Sequence, residues 1–179
     1  MLERLLFAGI GGQGVQAMAK MIAESAIDEG YEVVYTSAYG GAQRGGASNA
    51  NVIVSDKRIG APMILEGEMT VVIAMDSSAL KRYESYLAPG GLLIINTAMV
   101  KERPTRTDIE AVYIDVVQLA KQLGNERVSN MVALGALLKK RPIIAPETLL
   151  AQLAVVFGEK RAHLLDVNRA AIELGAESV

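Results

Sequence analysis

Two nearly uninterrupted apolar runs, MTVVIAM at 69–75 and LLIINT at 92–97, constrain the fold of this chain more than any other feature. A strand with one wet face alternates apolar and polar residues, whereas a run without that alternation is covered on both faces. Both runs are therefore read as central strands of a sheet with helices above and below. Around them the apolar segments alternate between strand length and helix length, the rhythm of an α/β fold. Candidate strands occupy 4–10 (RLLFAGI), 32–37 (EVVYTS), 49–55 (NANVIVS) and 111–115 (AVYID). A helix is predicted over 13–29, with Val15, Met18, Ala19, Ile22 and Ala26 on one face and Gly30 as its stop.

The segment DSSALKRYESYL opens on a helix cap at Asp76 or Ser77 and runs to Pro89-Gly90-Gly91, read as a turn. A short helix follows the 111–115 strand and ends near Gly124, and the last third is helical over 130–140, 146–156 and 161–174. The reading is one three-layer domain over 1–179, with a Rossmann-like, mainly parallel sheet, helices on both faces and a helical C-terminal third.

Composition excludes several functions. The chain has no cysteine, so disulfides, thiolate zinc sites, a cysteine nucleophile and self-ligated iron–sulfur clusters are ruled out. A net charge of -2 and 4% aromatic residues do not describe a nucleic-acid binder. No apolar run approaches the roughly 20 residues that cross a bilayer, and the start lacks a secretion-signal pattern, so a soluble cytoplasmic protein without membrane contact is expected.

The first glycine segment, FAGIGGQGVQAMAK at 7–20, carries G-x-G-x-x-G at Gly9, Gly11 and Gly14. Such a turn from strand to helix lets a phosphate approach the backbone and meet the positive helix end. Gln13 adds an amide that both donates and accepts. A nicotinamide site would add an acidic residue at the end of the second strand, yet that strand ends Tyr35-Thr36-Ser37 and its one acid, Glu32, stands at its beginning. Close helix–sheet packing, an anion site and a protein interface all remain open for this motif. The second segment, SAYGGAQRGGAS at 37–48, sets Tyr39 and Arg44 among four glycines. Loops after neighbouring parallel strands meet at one sheet edge, so the two segments are expected side by side, with Arg44 able to grip a phosphate or carboxylate at two points.

Taken in order, GIGGQG followed by S-x-Y-G-x-x-x-R-G-G, then VSNMVALGALL at 128–138, resembles the γ subunit of the 2-oxoacid:ferredoxin (or flavodoxin) oxidoreductases. The resemblance spans nearly the whole chain. It implies a multisubunit enzyme that oxidatively decarboxylates a 2-oxoacid to its acyl-coenzyme A and passes electrons to ferredoxin or flavodoxin. Of the substrates, 2-oxoglutarate comes first, ahead of pyruvate and branched-chain 2-oxoacids. Thiamine diphosphate and iron–sulfur clusters are implied on companion α, β and, where present, δ subunits, with coenzyme A as co-substrate.

Carried over to this chain, the pattern marks Gly9, Gly11, Gly12, Gln13 and Gly14, and then Ser37, Tyr39, Gly40, Arg44, Gly45 and Gly46, as the coenzyme A or subunit-docking positions. Many relatives have Pro then Glu after Tyr-Gly, where this chain has Gly41-Ala42-Gln43. No catalytic residue and no metal ligand is assigned. His163 is read as a helix-surface residue, Asp76 as a cap, and Lys101, Arg103 and Arg106 as a solvated loop. Lys139, Lys140 and Arg141 complement a helix C-terminus, and Met18, Met21, Met63, Met69, Met75, Met99 and Met131 are read as core filler.

Overall fold

The computed structural model describes residues 1–39 and 45–179, with the backbone alone of Tyr39. Among the described residues six strands form one sheet: β1 (Leu2–Ile10), β2 (Glu32–Tyr39), β3 (Ala47–Ser55), β4 (Met69–Ala74), β5 (Leu87–Asn96) and β6 (Glu110–Ile114), in spatial order β2-β3-β1-β4-β5-β6. β1, β4, β5 and β6 are parallel, while β3 runs antiparallel to both neighbours. Helices α1 (Val15–Asp28), α3 (Val116–Gln122), α4 (Ser129–Lys140), α5 (Pro146–Phe157) and α6 (Leu165–Glu177) cover one face, and α2 (Ser77–Tyr83) covers the other.

The two unbroken apolar runs are central strands, as expected. Val71 and Ile73 of β4 and Leu92 and Ile94 of β5 enter the larger core with Phe7, Met18, Ile22 and Leu134. Val72, Ala74, Leu93 and Ile95 turn to the α2 side with Leu80 and Tyr83. Each large apolar side chain buried this way contributes about 1.5–3 kcal/mol. Pro89-Gly90-Gly91, read as a turn, lies inside β5 instead: the register jumps from Met69↔Leu87 to Val71↔Leu92, and Gly90 at φ 73° accommodates the loop-out.

The connection from β2 to β3 also differs from the expected parallel arrangement. These strands form an antiparallel hairpin, and β3 rather than β2 lies beside β1. The second glycine segment still reaches the first: β1 and β2 run the same way, each antiparallel to the β3 strand between them, so both end at one rim, as neighbours of β3 rather than of each other.

The C-terminal helices pack through a reciprocal glycine contact. A Cβ built on Gly135 of α4 would stand 1.9 Å from the Ile172 carbonyl oxygen, and one on Gly175 of α6 would stand 2.0 Å from that of Val132. The backbones meet directly there. Of the methionines, Met63 and Met99 are exposed rather than buried, while Met18, Met21, Met69, Met75 and Met131 are core. Arg106 is likewise not a free loop cation: it donates to the Leu87 carbonyl at 2.5 Å and pairs with Asp108 at 2.6 Å, fastening the 105–108 connection to the start of β5. No helix among the described residues is long and apolar enough to cross a membrane.

Candidate functional site

The chain leaves β1 toward α1 on one face and β4 toward α2 on the other, so a crevice opens at the carboxyl ends of these adjacent strands. Gln13 bridges it. Its Oε1 accepts from the Ile10 N–H at 2.8 Å and its Nε2 donates to the Met75 carbonyl at 3.1 Å, so both polar ends of the amide hold the turn to β4. Asn96, fully buried at the end of β5, donates to the same Met75 oxygen at 3.1 Å and accepts from Ala98 N–H at 3.2 Å. Three strand ends are thereby locked together.

The glycines of the first segment divide by environment. A Cβ on Gly9 would fall 2.3 Å from Gln13 Oε1 and 2.8 Å from Met75 Cβ, so the bridge requires glycine. Gly14 takes φ 74° as the N-cap of α1, and a Cβ there would come within 2.5 Å of Asn130 Nδ2. Asn130, within the VSNMVALGALL segment, thus rests on the first glycine turn. Gly12 faces open space.

The second segment joins the first at the same rim. The Gly11 N–H donates to the Gly46 carbonyl at 2.8 Å, and Ile10 pairs opposite Ala47. Gln16, which sequence reasoning passed over, strengthens the junction: its Nε2 donates to Ser48 Oγ at 3.1 Å and the Asn49 carbonyl at 2.8 Å, while its Oε1 accepts from the Tyr35 hydroxyl at 2.9 Å. Ser37 lies opposite Ala50 and the Tyr39 backbone opposite Ser48, and Gly45 and Gly46 lead into β3. Gly40 and Arg44 lie outside the described residues.

No side chain caps α1 and no acidic residue occupies its first turn, so its positive end is open toward an incoming anion. Beside it lies a depression of about 390 Å³ lined by Gly12, Gln13, Gly14, Glu126, Arg127 and Ser129. Glu126 is drawn aside by Lys121 at 3.4 Å. Arg127 also borders an adjoining, largely apolar cavity of about 470 Å³ whose walls include Met21, Val128, Met131, Leu153 and Phe157. A helix N-terminus, glycine backbone and one arginine beside an apolar recess suit an elongated ligand with anionic groups at one end.

At the end of β4, Asp76 is the helix cap: its carboxylate accepts from Ala79 N–H at 3.1 Å and Ser78 N–H at 3.3 Å. Ser77 Oγ and Lys81 hold Glu102 at 2.7 and 3.0 Å, and these contacts, the serine first, bring its carboxyl down to about 2. His163 is exposed on a 3₁₀ turn. Among the described residues no group of three histidine, aspartate or glutamate side chains stands close enough to hold a metal.

The geometry also speaks against a nicotinamide. The strand beside β1 on this side is β3, and the segment that would supply the ribose carboxylate ends without an acid, while Glu32 lies at the far end of β2 and accepts from Ile59 N–H.

Residues 4–178 match the family model for pyruvate ferredoxin/flavodoxin oxidoreductase. The chain is 32% identical over 152 residues to the 2-oxoglutarate synthase subunit KorC of Methanothermobacter marburgensis, covering 81% of each. It is 28% identical over 175 residues to the ketoisovalerate oxidoreductase subunit VorA of the same organism, covering 97% of this chain but only 36% of that one, so it spans about a third of that relative's length. Among solved structures, the keto/oxoacid ferredoxin oxidoreductase gamma subunit from Geobacter sulfurreducens superimposes with a TM-score of 0.82 at 29% identity, covering 98% and 97% of the two chains. The 2-oxoglutarate:ferredoxin oxidoreductase from Magnetococcus marinus, solved with 2-oxoglutarate, coenzyme A and succinyl-CoA bound, gives 0.88 at 25% identity, covering 99% of this chain and 31% of that one.

Proposed function

This chain belongs to the pyruvate ferredoxin/flavodoxin oxidoreductase family, and on that premise we propose that it is the γ-type subunit of a multisubunit 2-oxoacid:ferredoxin oxidoreductase that presents coenzyme A to companion chains. The observation that carries the reading is the 2.8 Å bond from Gly11 N–H to the Gly46 carbonyl, which joins the two glycine segments at the open end of α1. Coenzyme A is long and polyanionic. Its phosphates suit the backbone N–H groups of Gly12 and Gly14 with the Arg127 guanidinium, and Arg44 stands in the glycine segment that leads to this rim. The similar Magnetococcus marinus structure with coenzyme A bound supports the same reading.

Thiamine diphosphate supplies decarboxylation and iron–sulfur clusters carry the electrons, but a chain without cysteine offers no thiolate to a cluster. Its own residues bind and orient: the Gln13 and Asn96 amides fix the strand ends that set the direction of the glycine turn, and the turn holds anionic groups against the helix end. Among 2-oxoacids, 2-oxoglutarate is the proposed substrate of the complex, supported by 32% identity to a 2-oxoglutarate synthase subunit of matching extent. The α, β and, where present, δ chains, with ferredoxin or flavodoxin as acceptor, are its partners in the cytoplasm.

A docking role for the same rim is the second reading; in the ketoisovalerate relative this sequence occupies about a third of a longer chain, so there the domain is joined to further structure. The test is co-purification from the native source, followed by turnover assays. The proposal expects companion chains bearing the cluster-binding cysteines, and 2-oxoglutarate oxidation that requires coenzyme A. A chain that purifies alone and turns over NADH refutes it.

A further inference from the structure

Arg127 borders two recesses: the depression at the α1 rim, proposed to take phosphate, and the apolar cavity of about 470 Å³, for which the coenzyme A reading names no occupant. Its volume falls within the roughly 300–1,000 Å³ of small-molecule sites. Three helices wall it, through Met21 of α1, Met131 of α4, and Leu153 and Phe157 of α5. Methionine thioethers on two sides adapt to a flexible chain.

The polar groups of the cavity sort by what already engages them. Lys20 and Glu24 pair with each other at 3.5 Å. Asn125 Oδ1 accepts from the Arg127 N–H at 3.1 Å, and Asn168 Nδ2 donates to the Leu164 carbonyl at 2.7 Å. Asn130 is different. It is 9% exposed, lines the cavity, and its side chain makes no hydrogen bond among the described residues. A buried amide left without a partner is costly and calls for one from outside the chain. Beside it, no side chain caps α4 and no acid stands in its first turn, and the Arg127 guanidinium forms no ion pair among the described residues.

We propose that this cavity binds an aliphatic monocarboxylate of medium chain length, with the carboxylate taken by the Asn130 amide and Arg127 at the start of α4 and the chain laid over Met21, Met131, Leu153 and Phe157. One negative charge matches one open guanidinium and one amide. A phosphate dianion would give up more hydration on entering these apolar walls than they return. Because Arg127 serves both recesses, a carboxylate here withdraws it from the rim and opposes coenzyme A. The site rests on the cavity alone, and only the opposition rests on the coenzyme A reading.

Octanoate is the probe. Calorimetric titration of the full-length chain with butanoate, hexanoate and octanoate is expected to give one site, tightening about fourfold for each methylene added, with octan-1-ol about tenfold weaker than octanoate. Ala17→Phe, at an exposed position of α1 on the cavity wall, fills the space, and Asn130→Asp keeps the side-chain shape but sets a like charge at the carboxylate's seat. Each weakens octanoate binding by about tenfold or more, and thermal unfolding without ligand checks that each variant is folded. In the assembled complex, octanoate raises the apparent KM for coenzyme A of the parent but not of Ala17→Phe, whose KM without octanoate is parental. One-site binding with this chain-length gradient, lost in both variants, supports the proposal. No binding, affinity indifferent to chain length, or octanoate binding retained by folded Ala17→Phe overturns the site. A coenzyme A KM unmoved by bound octanoate overturns the sharing of Arg127, and a KM raised in Ala17→Phe without octanoate gives the cavity to coenzyme A instead. Titration of the chain alone reads the site even if Arg127→Ala leaves coenzyme A kinetics untouched, so the two readings fail separately.

Discussion

Replacing Gly175 by alanine tests the helix packing that positions Asn130 beneath the glycine turn. The added Cβ would stand 2.0 Å from the Val132 carbonyl oxygen and 2.8 Å from its carbon, against an ordinary contact of 3.4 Å or more, and both atoms are backbone. α4 and α6 must therefore separate by more than about 1 Å, since no side-chain rotation relieves a clash with the main chain. Overpacking of this kind costs up to about 3 kcal/mol, and alanine's better helix propensity offsets about 1 kcal/mol of it. The net expectation is a loss of about 2 kcal/mol, or a fall in Tm of roughly 4–8 °C for a domain of this size.

Thermal and urea unfolding measure it, with Gly60→Ala as the comparison because no atom lies within 4 Å of the Cβ at that position. Gly135→Ala meets the Ile172 oxygen at 1.9 Å across the same crossing. Once one substitution has parted the helices the second costs little, so the double variant falls well short of the sum. A Gly175→Ala protein as stable as the parent, or more so, refutes the direct backbone contact.

Further predictions concern the rim itself. Gln13→Leu removes the acceptor for Ile10 N–H and the donor to Met75, costing about 2 kcal/mol in urea unfolding, with faster amide exchange at Ile10; unchanged exchange there contradicts the bridge. Asp76→Ala removes the α2 cap and lowers stability by about 1 kcal/mol, whereas Asp76→Asn retains most of it. Glu102 is held below its ordinary value of about 4.3, so its contribution is complete above that pH and is lost as pH falls toward about 2. Glu102→Gln accordingly flattens the stability profile across that acid window and leaves its shape near neutrality unchanged; an identical profile for parent and variant contradicts the Ser77 and Lys81 contacts.

Much of this architecture is legible in the residues. The continuous apolar runs of β4 and β5, the Asp76 cap and the Pro146 helix start follow from local chemistry; β4, the cap and the helix start stand within a residue or two of their expected places, whereas β5 begins at Leu87, well ahead of its apolar run at 92. The hairpin of β2 and β3 was not legible as such, because its turn chemistry is spread over a long glycine segment and apolar periodicity does not encode strand direction. Pro89-Gly90-Gly91 carries genuine turn residues, but neighbouring strands absorb the loop-out inside β5. At the rim, the glycines announce a tight turn without saying what fills it. Gly9 and Gly14 are explained by Gln13 and by Asn130, which lies more than a hundred residues away. Gln16 and Asn96 look like ordinary polar residues until the strand ends converge on them. The reciprocal pair of Gly135 and Gly175 is equally silent in sequence, since a glycine inside a helix gives no sign of the backbone it will meet.

The account stands most directly on the apparent KM for coenzyme A of the assembled complex carrying Arg127→Ala, Arg44→Ala or both. Loss of a charge-assisted contact to phosphate corresponds to roughly a tenfold rise for each arginine that touches the ligand, with the KM for the electron acceptor unchanged. Coenzyme A kinetics indistinguishable from the parent in the double variant contradict the assignment of this rim to coenzyme A.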